Sequence, residues 1–147
     1  MRRAPTRKKV HALVSRQHGD GMLDAFHLGF RLEQLALRSQ IKGGPAYSSY
    51  PRSASQWHHV VATIEPDGYA RLYIDGELVR KKQKAGRPTL GGGDNPLIIG
   101  GGVNGPDSNL VDERYAGSID ELSLYDRPLR PDEIRALAQG AQPPLSP

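Results

Sequence analysis

Apolar and polar residues alternate along most of this chain with the two-residue period of half-buried strands, punctuated by turn chemistry. Residues 25–32 show it most plainly: Phe26, Leu28 and Phe30 fall on one face, His27, Gly29 and Arg31 on the other. A strand over 10–16 precedes it and ends in the QHGDG turn at 17–21. Glu33 and Gln34 suit a tight turn into a return strand over 35–38. Leu28, Leu32 and Leu35 also fit a helical stripe, so a helix over 28–39 is the alternative. Gly29 and Phe30 favour the hairpin. Residues 41–55, rich in Gly, Ser and Pro, read as a loop carrying Tyr47 and Tyr50.

The second half repeats the theme. WHHVVATI at 57–64 has a β-branched run and apolar residues on both faces, which predicts a central strand with Trp57 in the core. Pro66-Asp67-Gly68 turns the chain into YARLYI at 69–74, and Asp75-Gly76 is a two-residue hairpin signal before Leu78 and Val79. Glycine-rich loops at 86–96 and 100–102 flank a short buried strand at 97–99, and a further loop covers 103–114. YAGSIDELSLY at 115–125 is predicted as the last long strand. Residues 131–138 are a short helix: Pro131 suits the first turn, Asp132 and Glu133 its positive end, and Gly140 ends it. Ile134, Leu137 and Ala138 form its apolar stripe.

Composition agrees with this outline. A chain of 147 residues suits one domain, and 17 Gly with 12 Pro disfavour a helix bundle. The net charge of +4 is concentrated at one end: residues 1–9 carry five basic side chains and no acid, and the other 15 basic residues face all 16 acids. That arm is expected to be a solvated terminus and not a nucleic-acid site. Arg80, Lys81, Lys82 and Lys84 form a second basic cluster without interleaved aromatic residues, so specific nucleic-acid binding is not expected. The absence of cysteine excludes disulfides, thiolate metal sites and a Cys nucleophile. No apolar run is long enough to cross a bilayer as a helix, and residues 10–14 are too short for a secretory h-region.

Three segments, in order, resemble the laminin-G-like branch of the concanavalin A-like lectin/glucanase superfamily: QWHHVVAT at 56–63, ARLYIDGELV at 70–79 and YAGSIDELSLYDRPLRPDEI at 115–134, with NPLIIGG at 95–101 between them. The resemblance implies an all-β, antiparallel jelly-roll β-sandwich with one short C-terminal helix, spanning 10–140 between a basic arm at 1–9 and a tail at 141–147. Family members usually open with two or three further strands, so a truncated module with an exposed sheet edge, prone to self-association, is expected. The resemblance also favours an extracellular or cell-surface setting, and a glycan or glycoprotein as partner.

The candidate chemistry is sparse. Glucanases of this fold place acids at alternate positions of one strand; the matching frame here is Ser118, Asp120 and Leu122, so paired-carboxylate catalysis is not expected. In related jelly rolls an Asp on the last strand helps hold a structural Ca²⁺, so the resemblance makes Asp120 the candidate metal ligand, against the plainer role of bonding neighbouring backbone. Asp107 and Asn109, in a loop with three oxygen-bearing side chains, are candidates for ligand binding, as are Tyr47 and Tyr50 for stacking on a sugar ring. His58 and His59 are adjacent on a predicted strand, face opposite sides and cannot readily share a metal. His11, His18 and His27 could converge, although nothing in their spacing requires it. The function expected is a non-catalytic recognition module for carbohydrate or glycoprotein, with a structural or self-associating module as the alternative and a glycoside hydrolase the least favoured.

Overall fold

A computed structural model describes residues 10–18, 23–31, 34–41, 44–51, 56–83, 96–103 and 111–142. Four strands, β1 (Val10–His18), β2 (Leu23–Arg31), β3 (Gln34–Ile41) and β4 (Gly44–Pro51), run as consecutive antiparallel neighbours. A meander follows: β5 (Val60–Ile64), β6 (Tyr69–Ile74) and β7 (Glu77–Gln83). Then come β8 (Leu97–Ile99), the two-residue strands β9 (Gly102–Val103) and β10 (Val111–Asp112), and helix α1 (Pro131–Ala138). The five-stranded sheet has the order β4-β3-β2-β1-β8, the three-stranded sheet β5-β6-β7, and β9 pairs with β10.

The two larger sheets face each other across an apolar core. Leu72 and Ile74 of β6 are buried against Leu13, Leu28 and Phe30 of the five-stranded sheet, with Val60, Ala62 and Val79 alongside. Ala70 extends this layer toward Leu28 and Ile64. The other face of the three-stranded sheet is also covered: Tyr73, paired with Val61, packs against Leu129 and Ile134, so α1 lies on the outside of the meander. The helix begins as its sequence implies. Glu133 accepts a hydrogen bond from the Arg130 backbone N–H at 2.7 Å and two from the Arg127 guanidinium at 2.9 Å each. The Arg127 hydrogen bonds, then the Arg130 backbone N–H, lower its carboxyl pKa to about 2. Gly140, at φ +86°, closes the helix in the left-handed region.

The β2–β3 hairpin replaces the helical alternative, with Arg31 opposite Gln34. Other expectations need correction. Residues 44–51 are a strand, because the open edge of β3 offers their backbone a complete ladder partner. The central strand of the meander is β6, not the predicted 57–64 strand: β5 is an edge strand that starts at Val60, and Trp57 is 70% exposed. β8 pairs with β1 as an edge and leaves Leu97 and Ile99 exposed. Residues 115–125 form no ladder; Glu121 sits at φ +51°, which breaks the alternation a strand needs. The basic arm at 1–9 lies outside the described residues.

Candidate functional site

One cross-strand row of the five-stranded sheet is polar throughout. Ser15 of β1 is opposite His27 of β2, His27 opposite Arg38 of β3, and Arg38 opposite Tyr47 of β4. The next row on the same face is small: Ala12, Gly29, Ala36 and Ser49. A bulge at Leu13 puts Ala12 and Ser15, three residues apart, on that common face. The alternate rows hold Leu28 opposite Leu37 and Phe30 opposite Leu35, and Leu28 and Phe30 pack into the core. The polar row therefore belongs to the face turned away from the three-stranded sheet. Neither β3 nor β4 contains an acidic residue.

The β1 end of this row is roofed by two backbone segments brought back from late in the chain. Ser15 Oγ donates to the Gly101 carbonyl at 2.9 Å. His27 Nε2 lies 3.0 Å from Glu113 Oε2, with both side chains buried. The His11 Nδ1–H donates to the Arg114 carbonyl at 2.8 Å, a role set by the acceptor-only carbonyl. The Ala12 N–H donates to the Glu113 carbonyl at 2.8 Å. The fit is close: a Cβ at Gly29 would lie 2.2 Å from the His11 carbonyl oxygen, and one at Gly102 would lie 3.1 Å from Glu113 Oε2. Glu113 itself holds φ +47°, a strained conformation that the surrounding bonds impose. The result is a fixed, hydrogen-bonded wall that braces one end of the polar strip, with Ser15 1%, His27 4% and Glu113 5% exposed.

Tyr47, expected on a loop, stands on β4 in the polar row. Tyr50, three residues on, falls in the alternate set opposite Leu35, so the two tyrosines do not share a face. Asp107 and Asn109 lie outside the described residues. Asp120 is exposed, and its Oδ1 accepts from the Glu121 backbone N–H at 2.9 Å. Among the described residues no group of three His, Asp or Glu side chains could hold a metal. His58 and His59 do not converge on an ion: His58 Nδ1 lies 2.9 Å from Asp75 Oδ2, and the His59 backbone N–H donates to Asp75 Oδ1. Burial holds the His59 imidazole below its ordinary pKa, against the opposing pull of Asp75.

Sequence reading missed Glu113 as a site residue. It put His27 on the non-core face, but the acid that meets it lies 86 residues away, and no local pattern links the two.

Comparison with known proteins gives a consistent answer. A laminin-G family profile, described as the concanavalin A-like lectin/glucanases superfamily, matches residues 1–135. A protein named for its sushi, von Willebrand factor type A, EGF and pentraxin domains is 36% identical over 95 residues, in Rattus norvegicus and again in Mus musculus. The match takes in 61% of this chain but 3% of each of those relatives. Among solved structures, the CBM40 of an IT-sialidase from Ruminococcus gnavus bound to α2,3-sialyllactose superposes with a TM-score of 0.74 at 19% identity, over 90% of this chain and 77% of that one. The same module bound to α2,6-sialyllactose gives 0.72 at 18%, over 90% and 78%.

Proposed function

The chain belongs to the concanavalin A-like lectin/glucanase superfamily, and from that premise we propose that it is a non-catalytic carbohydrate-binding module that takes its glycan on the outer face of the five-stranded sheet. The observation that carries this is the polar row from Ser15 through His27 and Arg38 to Tyr47. A sugar presents hydroxyls at its rim and C–H groups on its faces. Ser15 and His27 are buried and brace the row, which leaves the register positions of Arg38 and Tyr47, on β3 and β4, to meet such a sugar. Arg38 extends the match to glycans with a carboxylate, which guanidinium groups bind in bidentate fashion. The solved neighbours, which were bound to sialyllactose, support the same ligand class.

Hydrolysis is disfavoured on chemical grounds. The frame of Ser118, Asp120 and Leu122 contains one acid, and Glu113 is buried and bonded to His27. A self-associating module is the second reading, favoured by exposed Leu97 and Ile99 on edge strand β8 and by exposed Leu122 and Leu124. No helix among the described residues is long and apolar enough to cross a membrane.

The test is calorimetric titration with α2,3-sialyllactose, α2,6-sialyllactose and lactose. Saturable binding is expected, weakened about tenfold or more by Tyr47→Ala or Arg38→Ala at unchanged melting temperature. The loss on Arg38→Ala should be larger for the sialylated sugars than for lactose. Absence of binding to all three sugars, with a mass in solution that grows with concentration, would favour self-association instead.

A further inference from the structure

On one side of the sandwich the outer strands β4 and β7 lie in contact, and both are blunted against further pairing. β4 carries Pro45 and Pro51, while β7 carries Arg80, Lys81 and Lys82 and a register shift opposite Leu72 and Tyr73. The other side differs. β5, with the sequence VVATI, has no charge, no proline and no bulge along its pairing with β6. The His59 carbonyl accepts from the Asp75 N–H at 2.8 Å, and the Glu65 N–H donates to the Tyr69 carbonyl at 2.9 Å. The odd-numbered residues of this strand therefore turn their backbone to β6. The backbone N–H and C=O groups of Val60, Ala62 and Ile64 point outward, with no ladder partner among the described residues.

Apolar side chains along the same opening are uncovered. The sheet that holds β5 has three strands and the sheet it faces has five. Val60, Ala62 and Ile64 pack toward the core yet stay half-buried. On β8, Ile99 lies in the cross-strand row of Val14 and Leu28, on the core side, and is 57% exposed; Leu97, two residues away on that face, is 37% exposed. Residues 115–125 run from one edge to the other. The Tyr115 N–H donates to the Gly100 carbonyl just past β8, and Tyr125 packs with Val61 of β5 on the Tyr73–Leu129–Ile134 cluster. Midway along, Asp120 and Glu121 are exposed, and neither belongs to an ion pair among the described residues. An unpaired backbone edge, uncovered apolar residues and an acidic border together suit a peptide strand, which supplies ladder hydrogen bonds from its backbone and side chains of two kinds from its two faces. We propose that the β5 edge accepts an extended strand of a partner polypeptide in which apolar and basic residues alternate. This edge is distinct from the Ser15–Tyr47 row on the outer face of the five-stranded sheet, and it does not depend on that row binding anything.

The probe is a fluorescein-labelled peptide of about eight residues, a usual strand length, alternating valine with lysine. It is titrated with the intact chain by fluorescence anisotropy. Saturable binding is expected, with slowed hydrogen exchange at the amides of Val60, Ala62 and Ile64. A valine–glutamate peptide should bind about tenfold more weakly, and Asp120→Asn with Glu121→Gln should remove most of that preference. Peptides N-methylated at alternate positions separate ladder pairing from apolar adhesion: methylation of one alternate set should abolish binding, and methylation of the other should spare it. Tyr47→Ala should leave peptide binding in place. No binding, binding without slowed exchange at residues 60–64, or equal loss from both methylated sets would overturn the strand site. So would exchange at those amides that slows with the chain's own concentration when no peptide is present, the mark of a second copy at this edge.

Discussion

The two sheets of this sandwich use their outer faces in opposite ways. The three-stranded sheet has its outer face partly closed by the helix: Leu72 and Ile74 point into the core, Tyr73 and Val61 are covered by Leu129 and Ile134, and the neighbouring Thr63–Arg71–Lys81 row is polar, with Arg71 ion-paired to Glu65 and Asp67. The five-stranded sheet is apolar on one side, through Leu28 and Phe30, and carries the Ser15–His27–Arg38–Tyr47 row on the other. A sheet whose second face is capped by a helix has that face committed to stability. A sheet whose second face is polar and roofed at one end keeps a surface for recognition. Stability and binding should therefore separate when residues on the two sheets are changed.

The largest effect should come from the shared core. Leu72 is fully buried between the sheets, and Leu72→Ala should cost about 2–5 kcal/mol. Denaturant titration checks it, and glycan affinity of the molecules that remain folded should be nearly unchanged. A smaller and different effect is expected on the polar face. His27→Ala takes a buried imidazole from a buried carboxylate and should cost about 1–3 kcal/mol. It should also weaken glycan binding, because the wall built on Glu113 shifts; equal loss of binding in Leu72→Ala and His27→Ala would mean that the two sheets do not divide stability from recognition.

The smallest effect belongs to the helix cap and appears only in acid. Glu133 has its pKa lowered from 4.5 to about 2 by Arg127 and the Arg130 backbone. A carboxylate depressed in the folded state stabilises fully above its unfolded pKa and loses that contribution as pH falls through the folded value. The stability gap between the natural chain and Glu133→Gln should thus be constant at neutral pH and shrink between pH 4.5 and about 2, read from melting temperatures across that range. Glycan binding at neutral pH should be the same in both proteins, because α1 packs on the three-stranded sheet.

Legibility followed the range of the interactions. Pro131, Glu133 and Gly140 announce α1 because capping and termination act within a few residues. The alternation of Phe26, Leu28 and Phe30 announces β2, and Asp75-Gly76 announces the β6–β7 turn, for the same reason. β4 was hidden because Gly, Ser and Pro are poor strand formers, and only the waiting edge of β3 makes them one. The 115–125 segment erred the other way: its residues suit a strand, but strand propensity without a ladder partner does not make one.

The sandwich entered through the family resemblance; the chain's own order of residues was enough to establish short strands joined by turns and a terminal helix, and to separate Leu28 and Phe30 from His27 on the opposite face. Those are consequences of side-chain period and turn chemistry, which are local. Tertiary structure alone decided that His27 meets Glu113, that Tyr47 and not Tyr50 joins the polar row, and that Trp57 is left in solvent. Each depends on which strands become neighbours and where β1 bulges, and pairing between distant segments leaves no periodic trace in either one.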